Sequence, residues 1–397
     1  TGPLFHAVTK AALQSVGADV IDIGLTSTPT LQLAVEHHHS DAGIIVTASH
    51  NPIEWNALKF LNHEGIFLDE AQVQKLFSIV DNRQFKWQGY AGVGTISQSS
   101  GADDGHIQAI LDLDCIDVEL VRKRKFKVAY DGVNGAGSLI VPRLLEKLGC
   151  QIHAVHVEPN GIFPHIPEPT PENLSDLRNL VLQKKCDVGF ATDPDADRCA
   201  LVNEHGEAIG EEYTLALAVE FMLRRRKGPV TVNLSTSRMV EDIAAKHGVK
   251  AARAKVGEVN VTVAMRENGS VIGGEGNGGI ILPDLHYGRD GILAVAMTLQ
   301  NLAERGATVS TLVSEIPSYH IDKRKFELGG KSLTELYAHL ENTFAGAEVD
   351  RRDGLRFAWD RSWVHVRPSN TEPVARIIAE APNREEAERL CLTVEKR

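Results

Sequence analysis

The stretch CDVGFATDPDADRCALVNEHG, residues 186–206, decides the fold class, because it places an acidic turn between two apolar runs. Short apolar runs bounded by turn residues predict buried strands. The runs KFKVAYDGVNGAG (125–137) and CQIHAVHVEP (150–159) precede it in the same alternation with helix-like segments. This alternation predicts a mostly parallel sheet covered by helices.

The same alternation occurs in two further parts of the chain. Before the acidic turn it comprises a helix at 4–16, the strand ADVIDIG (18–24), a helix at 31–37 and a strand at 43–46. After the turn it runs from PVTVNLSTS (229–237) through SVIGGEGNGGIILPD (270–284) to a helix at 290–304. These patterns predict three similar α/β domains with mixed, mostly parallel sheets. The first unit lacks an opening strand, so we expect residues to be missing before Thr1.

The pattern changes after about Tyr319. FELGGKSLTELYAHLENTF (326–344) predicts a helix, residues 356–382 predict two strands around a polar turn, and REEAERLCLTV (384–394) predicts a final helix. A smaller α+β domain therefore closes the chain, and the basic runs at 122–127 and 224–227 mark the domain junctions. The predicted domains are 1–122, 123–226, 227–319 and 320–397.

Composition limits the partners. The 397 residues carry a formal net charge of −11 with 43% hydrophobic residues, which argues against nucleic acid and anionic membranes, since both are bound through clustered Lys and Arg. A small phosphorylated ligand needs only a local cluster of donors. Five scattered cysteines and the lack of a long apolar run predict a cytoplasmic protein with reduced thiols. The sequence carries no signal for the oligomeric state.

The acidic turn DPDADR (193–198) predicts a metal site. Asp193, Asp195 and Asp197 alternate, so a tight turn can aim three hard oxygen ligands at one Mg²⁺ or Ca²⁺ ion. A calcium loop ending at Glu204 is a rival, but Arg198 stands where that loop needs glycine. A solvated acidic turn is the remaining alternative, although close like charges repel without a counter-ion.

A second polar loop, TASHNP (47–52), also follows a predicted strand, and Lys59 comes shortly after it. A serine hydrolase is disfavoured, because no G-x-S-x-G elbow surrounds Ser49. Adjacent side chains on an extended chain also point apart, which places His50 poorly as a base. Ser49 can instead carry a phosphoryl group, a role that needs a nearby divalent cation and positive donors.

Two further loops offer ligand contacts. In GGEGNGG (273–279) several glycines surround Glu275, which predicts backbone close to a ligand, with a flexible hairpin as the alternative. In RPSNTEP (367–373) a guanidinium, two hydroxyls and an amide can hold a phosphate dianion. A capped hairpin turn is the alternative there. The donors of this loop are Arg367, Ser369, Asn370 and Thr371.

Taken together, the motifs TASHNP, DPDADR, GEGNGG and RPSNTEP, in this order, resemble those of the α-D-phosphohexomutase family over nearly the whole chain. The resemblance implies a heart-shaped, four-domain enzyme with a central cleft. It also implies interconversion of hexose 1-phosphates and hexose 6-phosphates through a phosphoserine and a hexose 1,6-bisphosphate. A non-catalytic sugar-phosphate binder and a Mg-dependent sugar phosphatase on the same fold are the alternatives.

The resemblance also implies roles for individual residues. Ser49 would be the phosphoserine, lined by His50 and Asn51, with Lys59 as a proton relay and Arg198 in contact with substrate. The expected Mg²⁺ ligands are Asp193, Asp195, Asp197 and the Ser49 phosphate. The expected readers of the sugar are Glu275 and Asn277, and the expected grip on the non-reacting phosphate comes from Arg367, Ser369, Asn370 and Thr371.

Departures from the family pattern bear on the substrate. Glu258 and Gly279 stand where members acting on glucose and mannose phosphates commonly carry histidine, so the chain is similar to the archaeal-type phosphoglucosamine mutase-like branch. Glu258 near a sugar would favour a protonated amine at C2, whereas RPSNTEP is nearer to the glucose and mannose enzymes. The family also places an active-site arginine just before the segment that aligns with Thr1, so we expect one catalytic group to precede this sequence.

Overall fold

The structure, a computed structural model, describes residues 1–327, 332–368 and 374–396. The predicted phosphate-binding residues Ser369, Asn370 and Thr371 lie outside these ranges. Within them, no helix has both the length and the apolar composition needed to cross a membrane.

The first part of the chain builds a hairpin whose end carries the serine loop. Strand β2 pairs antiparallel with β3, and Ile45 lies opposite Lys59, so the loop between the two strands and Lys59 share one end of the hairpin. A separate parallel pair joins β1 to β4. The elements here are α1 (Gly2–Ser15), β1 (Val20–Asp22), α2 (Thr28–His37), β2 (Ala42–Val46), β3 (Leu58–Asn62), α3 (Glu70–Asp81), β4 (Ile96–Gln98) and α4 (Ala102–Leu111).

The second unit contains the sheet predicted from the opening stretch of sequence. Its strand order is β6-β5-β7-β8, with β8 antiparallel to β7 and the other pairs parallel. The carboxyl ends of β5, β6 and β7 therefore meet at one edge, where Asp131, His156 and Asp193 stand. The elements are α5 (Val118–Arg124), β5 (Lys127–Asp131), α6 (Gly137–Lys147), β6 (Gln151–Val155), α7 (Ser175–Lys184), β7 (Val188–Thr192) and β8 (Cys199–Val202).

The third unit repeats this topology. Its strand order is β10-β9-β11-β12, again with an antiparallel last strand, so the sequence prediction of similar units with mixed, mostly parallel sheets is confirmed. The elements are α8 (Glu211–Arg225), β9 (Val230–Asn233), α9 (Met239–Lys246), β10 (Ala251–Ala254), α10 (Glu258–Asn268), β11 (Ile272–Glu275), β12 (Gly279–Ile281), α11 (Gly291–Arg305) and α12 (Val309–Ser314).

The C-terminal unit is an antiparallel sheet with helices, in the order β13-β17-β16-β15-β14. The helix predicted from residue 326 begins only at Leu333, because Phe326 and Glu327 end the alternating strand β13. The region 356–382 carries parts of three strands rather than two, since a turn at 359–362 separates β15 from β16. The elements are β13 (His320–Glu327), α13 (Leu333–Thr343), β14 (Glu348–Asp350), β15 (Leu355–Ala358), β16 (Trp363–Pro368), β17 (Val374–Ala381) and α14 (Arg384–Glu395).

Hydrophobic packing joins the second and third units. One continuous core includes Val128 and Val188 from one sheet and Val230 and Ile272 from the other, and α11 is buried along almost its whole length between them. The C-terminal unit has a separate core. Helix α8 packs on both β8 and β11, so the exact domain boundaries stay predictions.

Candidate active site

Ser49 lies in the loop between β2 and β3, at the end of the hairpin. Its backbone adopts a left-handed conformation with φ of +50°, which is uncommon for serine and often marks functional positions. Its N–H donates to Thr47 Oγ1 at 2.9 Å. The Ser49 hydroxyl donates to Asp193 Oδ2 at 3.1 Å, so the serine loop and the acidic turn meet.

His50 lies closer to Ser49 than the sequence predicted. The expectation that their side chains diverge assumed an extended chain; the left-handed turn at Ser49 instead leaves His50 Nδ1 3.4 Å from Ser49 Oγ. Burial, followed by the charge of Arg198, lowers the pKa of His50 to about 3, so the ring is neutral at ordinary pH. Asn51 is exposed, and its backbone N–H donates to Ala48 O at 3.1 Å.

The three aspartates of the acidic turn are buried and converge. Asp193 and Asp197 are 0% exposed and Asp195 is 3% exposed, which rules out a solvated acidic turn. One carboxylate oxygen of each lies within 4.8 Å of the others. The rival calcium loop also fails, because Glu204 bonds to Ser310 instead of facing the turn.

The aspartates fit a divalent cation. Asp195 Oδ1 and Asp197 Oδ1 are buried and, among the described residues, have no hydrogen-bond partner. Burial, together with the charges of Asp197 and Asp195, raises the pKa of Asp193 well above its ordinary value. Orphaned hard oxygens in a site of unbalanced negative charge are what Mg²⁺ requires; these residues would hold it.

Two cations border the acidic turn. Lys59 Nζ donates to Asp195 Oδ2 at 2.7 Å, and the charges of Asp195 and Asp197 outweigh burial and raise the pKa of Lys59. Burial raises the pKa of Asp195, but Lys59 outweighs it and holds that pKa below its usual range. Arg198 Nε lies 3.8 Å from Asp193 Oδ2 and 3.7 Å from Asp197 Oδ1. Both side chains thus lie where a phosphoryl group beside Ser49 would need positive charge.

The glycine-rich loop connects β11 to β12, and Glu275 stands at the end of β11. Its carboxylate accepts from Asn233 Nδ2 at 2.7 Å and from the Gly257 N–H at 2.8 Å. Arg289 Nη1 donates to its other oxygen at 2.7 Å. Asn277 Oδ1 is buried and lacks a hydrogen-bond partner in the described part of the chain, so it remains open to a ligand.

Arg289, which the sequence did not single out, connects the acidic turn to the third unit. It donates to Asp197 Oδ2 at 2.5 Å, to Glu258 Oε2 at 3.0 Å and to Glu275 at 2.7 Å. The three carboxylates outweigh burial and raise its pKa well above the ordinary value. A Cβ at Gly279 would lie 2.4 Å from Arg289 Cδ, so the glycine at this position leaves the arginine its room.

Glu258 already has partners for both oxygens. Gln32 Nε2 donates to Oε1 at 2.9 Å, and Arg289 holds Oε2. Burial raises the pKa of Glu258. Gln32 and Thr28, whose hydroxyl donates to Asp195 Oδ2 at 2.7 Å, were also missed from sequence. They belong to a helix with no motif of its own, although Thr and Ser cluster at its start.

Arg367 lies at the end of β16, with its Nε 3.3 Å from Asp353 Oδ2. The structure brings Ser49, His50, Lys59, the aspartates and Arg198 together, and Arg289 adds Glu258 and Glu275 to this group. Among the described residues, Arg367 makes no contact with it. The neighbouring residue His365 forms a hydrogen bond with Ser235, with 2.8 Å between His365 Nδ1 and Ser235 Oγ. This bond attaches β16 to the third unit.

Comparison with known proteins gives the same picture. Fold and site define a four-domain α/β protein with a serine beside three buried aspartates that could hold a metal ion. Four family models of phosphoglucomutase/phosphomannomutase match in succession: α/β/α domain I at residues 1–87, domain II at 104–206, domain III at 210–319 and the C-terminal domain at 323–397. The chain therefore belongs to the phosphoglucomutase/phosphomannomutase family, as the sequence motifs predicted.

Individual relatives cover almost the whole chain. A phosphoglucomutase/phosphomannomutase of Thermococcus kodakarensis is 38% identical over 98% of this chain and 85% of its own. A probable phosphoglucosamine mutase of Methanopyrus kandleri is 36% identical over 97% of this chain and 85% of its own. The crystal structure of a phosphoglucomutase/phosphomannomutase family protein of Burkholderia thailandensis superposes with a TM-score of 0.84 at 28% identity, covering 98% of this chain and 84% of that one.

Proposed function

We propose that this protein is a phosphohexomutase that interconverts hexose 1-phosphates and hexose 6-phosphates through a phosphoserine at Ser49 and a hexose 1,6-bisphosphate. The observation that carries the proposal is the hydrogen bond from Ser49 Oγ to Asp193 Oδ2 at 3.1 Å, within a group of three buried aspartates. A serine that faces a cation site is placed to carry a phosphoryl group.

The metal in this proposal is Mg²⁺, held by Asp193, Asp195, Asp197 and the phosphate on Ser49. When bound, it would neutralise negative charge on the transferred phosphoryl group. The orphaned oxygens of Asp195 and Asp197 support this assignment. The partner molecules are small sugar phosphates.

The chemistry is two phosphoryl transfers. The oxygen of a free sugar hydroxyl attacks the phosphorus of phosphoserine, the bond from Ser49 Oγ to phosphorus breaks, and the hydroxyl proton leaves to a base. The resulting bisphosphate reorients, and Ser49 Oγ attacks the phosphorus of its other phosphoryl group. The bond from that phosphorus to the sugar oxygen breaks, and the sugar oxygen takes up a proton. Lys59 would relay the proton, Arg198 would hold phosphate oxygens, and neutral His50 and Asn51 would line the serine.

The third and fourth units would bind the rest of the substrate. Glu275 and Asn277 would contact sugar hydroxyls, and Asn277 Oδ1 is the side-chain atom of this pair that lacks a partner in the described residues. Arg367 would grip the non-reacting phosphate, together with Ser369, Asn370 and Thr371, which lie outside the described residues.

Glu258 would bias the enzyme toward an amine at C2. The contact with Arg289 offsets part of the negative charge of Glu258. The strength of the bias therefore depends on how the Glu258 carboxylate and the Arg289 guanidinium are both placed against the bound sugar. We expect Glu258→His to shift preference from glucosamine phosphate toward glucose or mannose phosphate. An unchanged ratio of kcat/KM for the three sugars would remove the physical reason for favouring the amino sugar.

The compartment in this proposal is the cytoplasm. All five cysteines are free, and four of them are buried. Burial raises the pKa of Cys150 to about 12, and such thiols are stable as reduced structural groups.

A coupled assay tests the function. The full-length protein is given glucosamine, glucose and mannose 1- and 6-phosphates with Mg²⁺ and a trace of hexose 1,6-bisphosphate. We expect hexose 1-phosphate to be converted to hexose 6-phosphate, and the reverse. Release of inorganic phosphate without interconversion would instead show a sugar phosphatase, and binding without either product would show a sugar-phosphate binder.

A further inference from the structure

A second group of metal-ligating side chains lies at the same edge of the second sheet, one strand away from the acidic turn. Asp131 ends β5, and His156 directly follows the neighbouring strand β6. His165 comes from the loop beyond. His156 Nδ1 and His165 Nε2 each lie 3.1 Å from the same oxygen, Asp131 Oδ2, and the three donor atoms lie within 4.8 Å of one another.

These separations suit a small tetrahedral ion. With metal–ligand bonds near 2.0–2.1 Å, neighbouring ligand atoms of a tetrahedron are about 3.3 Å apart. Asp131 is 1% exposed, whereas both histidine side chains are 19% exposed. Asp131 is also fixed in place, since its Oδ1 accepts from the Val133 N–H at 2.9 Å. The group is therefore anchored on one side and open to solvent on the other.

The outward-facing ring nitrogens show which atoms carry hydrogen. His165 Nδ1 lies 2.8 Å from the backbone oxygen of Ile166, which can only accept, so this nitrogen carries the hydrogen. His156 Nε2 lies 3.3 Å from Asp176 Oδ2, and that carboxylate favours a hydrogen there too. In the neutral rings, His156 Nδ1 and His165 Nε2 then turn their lone pairs toward the Asp131 carboxylate.

Three acceptors that converge on one point require a positive charge between them. Metal-bound histidines show this arrangement, with the second ring nitrogen donating to a carboxylate or a backbone carbonyl. Protons are the competing source of charge, and the hydrogen bond with Asp131 is the first cause of the raised pKa of His165. A metal ion at this point would displace those protons.

A second aspartate–histidine–histidine group in the protein provides the contrast. His106 and His286 both bond through Nε2 to Asp290 Oδ2, at 2.8 and 3.1 Å. There His286 Nδ1 has no partner among the described residues, and His106 Nδ1 meets the hydroxyl of Thr30, which can donate. Neutral rings can therefore donate Nε2–H to Asp290, and that buried group needs no cation.

We propose that Asp131, His156 and His165 form a second metal site, distinct from the acidic turn. The site takes a divalent ion that prefers imidazole ligands, namely Zn²⁺ or an ion of the same type. Two imidazoles and one carboxylate suit zinc, whereas Mg²⁺ prefers oxygen ligands alone. Water would complete the coordination on the open side. The inference does not depend on the proposed phosphohexomutase activity.

The ion would order the loop that runs from His156 to the 3₁₀ turn at Pro171–Asn173. That loop also carries Glu168, whose Oε1 lies 3.5 Å from Arg198 Nη1 and 3.9 Å from His50 Nε2. Cross-linking β5, β6 and the loop through one ion would hold Glu168 against the active site. The role of the ion is structural, because none of its ligands reaches the acidic turn.

Metal titration of the full-length protein tests the proposal. After chelator treatment and dialysis, the protein is titrated with Co²⁺ and then Zn²⁺ while millimolar Mg²⁺ is kept present to occupy the acidic turn. We expect one tightly bound Zn²⁺ per chain, and a visible d–d absorption from Co²⁺ in a low-symmetry, nitrogen-containing site that Zn²⁺ abolishes.

Variants assign the ligands. His165→Ala should lower the affinity for Zn²⁺ at least about 100-fold, and Asp176→Ala should lower it about 10–100-fold, because the orientation of His156 is lost. His205→Ala is the matched control, since the His205 side chain is 65% exposed and its ring lies 3.5 Å from Glu204 Oε1; the Zn²⁺ affinity of this variant should equal that of the wild type. If His165→Ala does not fold, His165→Gln takes its place.

Two results would overturn the proposal. One is absence of stoichiometric Zn²⁺ binding by the wild type in the presence of Mg²⁺, which would show that protons alone balance the group. The other is equal Zn²⁺ affinity in wild type, His165→Ala and Asp176→Ala, which would place the ion elsewhere. Far-UV circular dichroism of each variant confirms that the fold is retained.

Discussion

Lys59 Nζ lies 2.7 Å from Asp195 Oδ2, so a cation on the first hairpin is bonded directly to the acidic turn of the second unit. The Thr28 hydroxyl donates to the same oxygen at 2.7 Å. The relative position of Ser49 and the aspartates is therefore fixed by contacts on either side of the serine loop. Substitutions in this group can distinguish residues that take part in the reaction from residues that stabilise the fold.

Ser49→Ala should abolish turnover. Without the hydroxyl no covalent phosphoryl carrier remains, and we expect kcat to fall at least about 10⁴-fold. Peptide mapping of active wild-type protein should find one phosphate on Ser49. Exposed Ser100 provides the control: Ser100→Ala should keep both activity and phosphorylation. Phosphate at another position, or an active Ser49→Ala protein, would refute the carrier role.

Asp195→Asn should raise the Mg²⁺ concentration needed for half-maximal activity at least about tenfold, since one of three charged ligands is lost. Chelation of the wild type should stop activity, and added Mg²⁺ should restore it. The matched control is Asp41→Asn on the surface, which should leave the Mg²⁺ dependence unchanged. Wild-type Mg²⁺ dependence and rate in Asp195→Asn would contradict the metal assignment.

Arg289→Met should destabilise the protein strongly. It leaves Asp197, Glu258 and Glu275 as buried carboxylates without their cation, a loss that costs about 3–5 kcal/mol. The exposed pair of Arg305 and Glu315 offers the comparison, because Arg305→Met should cost no more than about 1 kcal/mol.

Thermal unfolding of both arginine variants measures the difference. Addition of Glu258→Gln to Arg289→Met should recover part of the lost stability, because one unpaired charge is removed. Equal Tm values for Arg289→Met and Arg305→Met would show that the buried network contributes nothing special.

Glu212→Gln should stabilise the protein in a pH-dependent way. Burial raises the pKa of Glu212 from 4.5 to about 8, so the folded state holds a proton that the unfolded chain releases between these pH values. Stability of the wild type therefore falls as pH rises through this window, by about 1.4 kcal/mol per unit for this one group. Below pH 4.5 both states are protonated, and above pH 8 the loss is complete.

Glutamine lacks this titration and can still accept from the Ser237 N–H, which lies 3.0 Å from Glu212 Oε2. The Tm of Glu212→Gln minus that of the wild type should grow from pH 5 to pH 8. Glu146→Gln on the surface should give a difference that does not change with pH. A constant difference for Glu212→Gln would mean that Glu212 is ionised in the folded protein.

Arg367→Ala should weaken substrate capture without blocking the chemistry. Loss of a charge-assisted contact to a phosphate should cost about 1.5–3 kcal/mol, or one to two decades in kcat/KM. Arg367→Lys should recover only part, since lysine cannot form two parallel bonds. Ser49 should still accept phosphate from hexose 1,6-bisphosphate at saturation.

Exposed Arg384 gives the control for the phosphate grip, because Arg384→Ala should keep wild-type kcat/KM. Wild-type kcat/KM in Arg367→Ala would show that the grip lies elsewhere. Failure of Ser49 to accept phosphate in that variant would show that the loop takes part in phosphoryl transfer itself.

The features that could be predicted from the sequence are those that depend on short-range patterns. The repeated alternation predicted the sheets of the second and third units, and three alternating aspartates predicted their own convergence because they share one turn. The role of Arg289 could not be predicted, since it depends on contacts with three carboxylates on three different segments. Strand β13 was not predicted at all, because its residues are mostly charged and show no apolar alternation. The left-handed backbone of Ser49 changed the position of His50, which an extended chain would have directed away.

The core shared by the second and third units has a consequence for synthesis of the chain. Its members run from Ile107 to Ile316, so the sheet of the second unit cannot finish burying its apolar face until α11 and α12 have left the ribosome. Nearly two hundred residues of partly folded chain must wait for that segment, exposed to proteases and to chaperones. A stop codon before α11 would thus remove more than a helix: it would leave the earlier sheets with nothing to close against, whereas loss of the last unit would spare them.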